Sequence, residues 1–167
     1  MRQIFLDTET TGLDPNQGHR VIEIAAIEFN NRQATSNRFH FYVNPQREID
    51  AAAQEVHGIT LDFLNDKPLF VDIAEDFIAF INGSELVIHN APFDVGFLNM
   101  EFGKIGMEKL ESYCDGIMDS LKFAKEIRPG QRNSLDALCR AFDVDNSTRS
   151  LHGALLDAQL LGEVYIQ

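Results

Sequence analysis

The polar and apolar positions of this chain fall into two periods. Residues 2 to 8, the run V-I-E-I-A-A-I-E-F from Val21 to Phe29, and R-F-H-F-Y-V from Arg38 to Val43 have the β-branched, aromatic and alternating character of strands. Asn30-Asn31 interrupts them with turn residues, so the opening third predicts an antiparallel meander. From Phe70 the period lengthens: Phe70, Ile73, Ala74, Phe77, Ile78 and Ile81 recur at helical spacing until Asn82-Gly83 ends the run. Glu85 to His89 predicts a short buried strand, and a helix follows from about Pro92 to Phe102 with its proline in the first turn. A short helix begins at Asp50 and is closed by Gly58, and three more fit residues 119–127, 134–142 and 152–165, with Asp119 and Ser134 as N-caps. The order β-β-β-α-α-β-α-α-α-α predicts an α/β fold, a mixed sheet with helices on both faces, in one domain over residues 1–167.

Composition narrows the class. The 167 residues are enough to bury roughly 70% of the surface that the unfolded chain exposes. With 44% hydrophobic residues and only short apolar runs, nothing resembles a membrane span or a signal peptide, and the chain reads as cytosolic. Cys114 and Cys139 form no C-x-x-C pair, which suggests neither a disulfide framework nor a zinc site; Cys139 shares a helical face with Leu135, Leu138 and Phe142 as a core thiol. The net charge of −12 argues against high-affinity, non-specific binding of nucleic acid. It leaves room for an enzyme that holds a nucleic-acid end through metal ions, because bound divalent cations invert the local field.

Candidate chemistry begins in I-F-L-D-T-E-T-T-G-L, residues 4 to 13. On a strand, Asp7 and Glu9 point the same way, about 6.7 Å apart. Repulsion and desolvation both oppose that placement, so a positive species is expected between them. Asp94 follows H-N-A-P-F where a helix leaves a buried strand, a place for ligand-binding residues in α/β sheets, although a helix N-terminal aspartate is also stabilised by the dipole alone. Asp157 lies on a helix that is apolar around much of its circumference, so its carboxylate needs a partner. His152, five residues earlier, is about 140° away around that helix and belongs to the preceding loop or first turn, where it could swing over a site lined by Asp157.

D-T-E-T-T-G at 7–12, H-N-A-P-F-D at 89–94 and H-G-A-L-L-D-A at 152–158 occur in the order and spacing of the three exonuclease motifs of the DEDD superfamily, histidine subgroup. The chain resembles the epsilon-type proofreading branch of that superfamily from about Arg2 to Tyr165, including V-H-G-I at 56–59, S-E-L-V-I-H-N at 84–90 and R-N-S-L-D-A-L-C at 132–139. The resemblance implies a ribonuclease H-like core and a 3′–5′ exonuclease that releases 5′-mononucleotides from DNA 3′ ends by two-metal-ion hydrolysis. It implies metal ligation by Asp7, Glu9, Asp94 and Asp157, with Asp7 bridging two ions and Asp94 coordinating directly or through water. Oxygen ligands suit Mg²⁺ or Mn²⁺ better than zinc. His152 would be the general base, and Thr11, Gly12, Leu13, His57, Asn90 and Phe93 would surround the terminal nucleotide. The implied partners are a single-stranded or frayed DNA 3′ end and, in the full-length protein, the catalytic subunit of polymerase III. The chain stops two residues after Tyr165, so the tether to that subunit is expected to be absent and polymerase binding poor.

Other readings explain less. An aspartyl-phosphate phosphatase motif, D-x-D-x-T, wants aspartate where Glu9 stands. A non-catalytic binding subunit would not need competent residues at all five catalytic positions that the resemblance implies. An RNA-trimming exonuclease of the same superfamily is the closer rival, since discrimination of the 2′-hydroxyl depends on pocket shape. Lys122, Lys125, Arg128 and Arg132, with Glu126 among them, read as a solvated helix face, and Asp119 as a cap.

Overall fold

The computed structural model describes residues 1–142, 144 and 154–165, with the side chain of Glu163 excepted. Its strands are β1 (Arg2–Thr10), β2 (Val21–Asn30), β3 (Gln33–Tyr42), β4 (Glu85–Ile88) and β5 (Gly116–Asp119). Its helices are α1 (Ala51–His57), α2 (Leu61–Leu64), α3 (Phe70–Ile81), α4 (Ala91–Lys104), α5 (Ser120–Ile127), α6 (Leu135–Ala141) and α7 (Ala154–Tyr165). The strands form one sheet in the order β3-β2-β1-β4-β5. β1, β2 and β3 are antiparallel neighbours, and β4 and β5 continue the sheet in parallel. Among the described residues no helix is long and apolar enough to cross a membrane.

The predicted meander is present with longer strands. β3 starts at Gln33, five residues before the predicted Arg38, because Asn31 and Arg32, at φ 52° and 68°, close a two-residue hairpin turn between Asn30 and Gln33. Both central residues with positive φ are what a turn matching the strand twist requires. The predicted caps at Asp119 and Ser134 accept the backbone N–H groups of Leu121 and Ala137. Asp50 starts α1 without a side-chain cap bond, and Gly58 closes it at φ 69°. Of the predicted last helix, residues 154–165 are helical, and 152 and 153 lie outside the described residues.

Two elements were absent from the predicted order: the one-turn helix α2, capped by the Thr60 hydroxyl on the Phe63 N–H, and the strand β5. β5 is a four-residue edge strand, half-buried at every position and opening on Gly116, so it lacks both an alternating pattern and a run of β-formers. Its pairing with β4, from Glu85↔Gly116 to Ile88↔Asp119, is what makes it a strand. It also places Asp119 beside the end of β4, where the carboxylate accepts the Asn90 N–H at 3.0 Å as well as capping α5.

Strand alternation divides the interior into two sides. Ile4 and Leu6 of β1, with Ile24 and Ala26 of β2, pack against Ile73, Phe77, Phe97 and Phe102 of α3 and α4. Phe5, Ala25, Ile27, Phe29 and Val87 face Ala124, Leu138, Ala158 and Leu161 of α5, α6 and α7, and Cys139 is buried there as predicted. By the same parity Asp7, Glu9 and Glu23 belong to the α5–α7 side.

Two contacts fix the helices. The Arg20 guanidinium forks onto the buried Glu101 of α4, with Nη2 at 2.6 Å and Nε at 2.9 and 3.0 Å, and Glu101 also accepts the Val21 N–H at 3.1 Å. A bidentate, charge-assisted pair of this kind holds α4 against the start of β2. On the other side α7 approaches so closely that a Cβ at Gly162 would lie 2.5 Å from Phe29 Cζ. Phe29 is itself held edge-on against Phe5, with centroids 4.7 Å apart. Gly162→Ala therefore opposes two effects: about 1 kcal/mol gained in helix propensity against roughly 1–3 kcal/mol of overpacking. We expect a lower thermal midpoint; a raised midpoint in thermal denaturation would mean that the Phe29 ring moves aside freely.

Candidate active site

β1 carries Asp7 and Glu9 to the carboxyl end of the parallel β1–β4 pair, on the side covered by α7. Asp157, in the first turn of α7, descends onto them. One carboxylate oxygen from each of Asp7, Glu9 and Asp157 lies within 4.8 Å of the other two, which forms a three-sided oxygen cage. Asp7, Asp157, His89, Asn90, Leu121 and Ser134 line a cleft of about 410 Å³. Asp94 stands one step back. Only 3% exposed, it accepts a hydrogen bond from the Thr8 hydroxyl, on the opposite side of β1 from Asp7 and Glu9.

The electrostatics of this group are unfavourable as they stand. Burial, followed by repulsion from Asp94, Glu9 and Asp157, holds the Asp7 carboxyl well above the usual carboxylate range. Burial pushes Asp94 up to about 7 against the opposing hydrogen bond from Thr8. Carboxylates that are crowded, oxygen-only and held on rigid elements fit a hard divalent cation, which would reverse both shifts.

The turn after β1 is built as carefully. The register of β1 on β2 shifts between Glu9 and Thr10, a bulge of the kind that re-aims a chain beside a site. Thr11 is fully buried: its N–H donates to Arg20 O at 2.9 Å, its carbonyl accepts the Asp50 N–H at 2.8 Å, and its hydroxyl accepts the Arg20 N–H at 3.0 Å. His19 Nδ1 lies 2.9 Å from that hydroxyl, with Nε2 3.3 Å from the Asp50 carboxylate. The His19 ring seats directly on Gly12, where a Cβ would come within 2.3 Å of Cε1. Gly12 is thus required by a close approach rather than by an unusual φ. His57, buried in α1, donates from Nε2 to Thr10 O at 3.2 Å and accepts the Ile59 N–H on Nδ1 at 3.0 Å. Burial lowers its pKa, which keeps it in this neutral form. Leu13, by contrast, is 85% exposed at the tip of the turn.

The expected nucleotide-binding residues therefore occupy different places. Leu13 and Asn90 are exposed, with Asn90 at φ 66° directly before α4. Phe93 is half-buried against Phe97 at 5.0 Å between centroids. Thr11 and His57 lie behind the turn, with their polar side-chain atoms engaged inside the protein. His152 lies outside the described residues. Sequence reasoning missed Thr8, His19 and Glu23; for Glu23 the signal was available, since a glutamate inside an apolar strand raises the same question as Asp7. The basic residues keep the surface character expected of them: Lys122, Lys125 and Arg132 are exposed, and Arg128 folds onto Gln131, Arg132 and Asn133 of its own loop.

The acidic cage generates a prediction for metal-free protein. A carboxyl whose folded pKa lies above its unfolded value stabilises the fold below the unfolded pKa, near 4, and loses that contribution as pH rises through the folded pKa, about 7 for Asp94. Asp7→Asn removes one member of the cluster. In EDTA its advantage in thermal midpoint over the wild type is expected to be small near pH 4 and to grow toward pH 7 and above. Mg²⁺ is expected to raise the midpoint of the wild type more than that of the variant. An advantage independent of pH would mean that the carboxylates do not repel one another as described.

Comparison with known proteins adds an independent line. Residues 4–165 match the RNase_T family, described as exonuclease. DNA polymerase III subunit epsilon of Rickettsia prowazekii (strain Madrid E) is 54% identical over 167 residues, covering 99% of this chain and 73% of the relative. The subunit of the same name from Escherichia coli (strain K12) is 52% identical over 171 residues, covering 99% of this chain and 70% of the relative. Among solved structures, exonuclease X in complex with 5′ overhanging duplex DNA superposes with a TM-score of 0.75 at 26% identity, covering 98% of this chain and 89% of that one. A 3′-exonuclease solved in a study of histone mRNA stem-loop recognition shares the fold, with a TM-score of 0.82 at 17% identity, covering 99% of this chain and 62% of that one.

Proposed function

Because this chain belongs to the RNase T exonuclease family, in its DNA polymerase III epsilon branch, we propose that it is a 3′–5′ exonuclease that proofreads newly made DNA. The observation that carries the reading at the level of chemistry is the oxygen cage of Asp7, Glu9 and Asp157, two of whose members line a cleft of about 410 Å³. In this reading Asp7, Glu9 and Asp157 would hold two divalent cations, Mg²⁺ or Mn²⁺. Asp94, hydrogen-bonded to the Thr8 hydroxyl, would support that set. When bound, the ions supply electrostatic stabilisation of the charge that develops at phosphorus and on the attacking and leaving oxygens.

The chain's own residues orient the substrate and move the proton. Gly12 and Leu13, held in place by Thr11, His19 and His57 behind them, present backbone to the terminal sugar and phosphate, while Leu13, Asn90 and Phe93 offer surface to the terminal base. His152 accepts the proton of the attacking water as general base. The bond between phosphorus and the neighbouring nucleotide's 3′ oxygen breaks. That oxygen takes up a proton as the new 3′-hydroxyl, and the terminal nucleotide leaves as a 5′-monophosphate. The relatives' name supports a partnership with DNA polymerase III, and replication implies the cytosol as the compartment.

The direct test uses 5′-labelled single-stranded DNA, matched duplexes, 3′-mispaired duplexes and RNA, each with Mg²⁺, Mn²⁺ or EDTA. Stepwise shortening of DNA from the 3′ end is expected with either metal and none in EDTA. Mispaired ends are expected to go faster, because a matched end must first give up about 1.4 kcal/mol of stacking per base-pair step. Equal rates on matched and mispaired ends would remove the proofreading role, and preference for RNA would move the chain to another branch of the superfamily. His152→Ala is expected to lower turnover by roughly 10²–10⁴-fold while metal binding, followed by calorimetry, persists. Loss of metal binding would instead make His152 a ligand.

A further inference from the structure

Glu23 is a buried carboxylate to which the chemistry above gives no task. It sits within β2, 1% exposed, directly opposite Glu9 in the antiparallel register and opposite Tyr42 on β3. Like charges facing each other across strands destabilise a sheet, so a second glutamate beside Glu9 requires compensation. Three groups supply it. His40 Nε2 lies 2.7 Å from Oε2. The Tyr42 hydroxyl donates to the same carboxylate. Oε1 accepts the backbone N–H of Ala154 at 2.9 Å.

The last of these has the greatest reach. Ala154 is the first residue of α7, where N–H groups have no partner within the helix and the helix dipole favours an anion. Asp157 follows in the same turn. Along its middle α7 meets the sheet side through Ala158, Leu161 and Val164, apolar contacts that are non-directional and do not fix how far a helix slides or rolls. The polar contacts of the Tyr165 hydroxyl with Met118 and Gln3 lie at its far, C-terminal end. A hydrogen bond to the terminal N–H fixes one end, and that end borders the acidic cage.

We propose that Glu23 is a positioning residue whose carboxylate, braced by His40 and Tyr42, pins the N-terminus of α7 to β2 and thereby sets Asp157 against Asp7 and Glu9. Its consequence for turnover rests on the exonuclease reading above; its consequence for α7 does not. What matters is the reach of the oxygen to Ala154 rather than the negative charge. Glutamine keeps that reach without the charge, aspartate keeps the charge but is shorter by one methylene, and alanine keeps neither.

The test compares Glu23→Gln, Glu23→Asp and Glu23→Ala in the full chain. Amide hydrogen exchange at Ala154 is measured without metal, Mg²⁺ binding by calorimetry, and kcat and KM on single-stranded DNA. Glu23→Asp and Glu23→Ala are expected to speed Ala154 exchange at least about tenfold, weaken Mg²⁺ binding, and lower kcat by roughly 10²-fold with little change in KM. Glu23→Gln is expected to restore protection, metal binding and turnover to near the wild-type level. If Glu23→Ala does not fold, the contrast between aspartate and glutamine carries the test. Normal metal binding and kcat in Glu23→Asp, or a glutamine variant as impaired as the aspartate one, would overturn the proposal. A wild-type chain inactive on DNA, in which these substitutions still alter Ala154 exchange and Mg²⁺ binding, would overturn the exonuclease reading and leave the anchoring of α7 in place.

Discussion

Mutual repulsion among Asp7, Glu9, Asp94 and Asp157 is the condition around which the surrounding structure is arranged. On a mobile surface such groups would splay apart and stay ionised in water. Here Asp7 and Glu9 are fixed by a strand paired on both sides, Asp94 by the Thr8 hydroxyl and Asp157 by a packed helix. Burial, with repulsion from the neighbouring carboxylates added at Asp7, therefore shows as a raised affinity for protons at Asp7 and Asp94, and the same crowding favours cations of high charge. Stability sacrificed at this point is recovered in the apolar layers on either side of the sheet, a common arrangement at sites that must grip a ligand.

That division of labour explains where the functional groups lie. Rigid elements carry the carboxylates, and each is tied to the sheet by something more directional than apolar packing: the Arg20–Glu101 fork for α4, the Glu23–Ala154 hydrogen bond for α7. The turn after β1 is irregular, yet its backbone is satisfied almost throughout by Arg20, Asp50 and His57. An irregular segment so bonded holds its shape as a strand does, and the exposed Leu13 at its tip is presented rather than loose.

Much of this was legible in the chain. Alternation in β1 put Asp7 and Glu9 on one face, and helical spacing from Phe70 to Ile81 marked α3 to the residue. The parts that were not legible depend on partners remote in sequence. β5 is a strand only because β4 lies beside it. Gly12 was expected beside the terminal nucleotide, and the structure shows that it is also the seat of the His19 ring. Thr11 and His57 carry groups suited to a ligand, and only the structure shows those groups already committed to the protein. Spacing places a residue on its own element; it does not say what stands on the other side of the gap.

The contact between Gly162 and Phe29 carries this point into descent. A side chain at 162 and a phenyl ring at 29 claim the same volume, so the cost of changing either depends on the other, and the two effects will not add. A larger residue at 162 becomes tolerable only after 29 has shrunk, while a smaller residue at 29 leaves a void beside Phe5 until 162 has grown. Across a lineage these positions, 133 residues apart in the chain, would drift as one inherited unit, with the order of substitution constrained as well as the outcome.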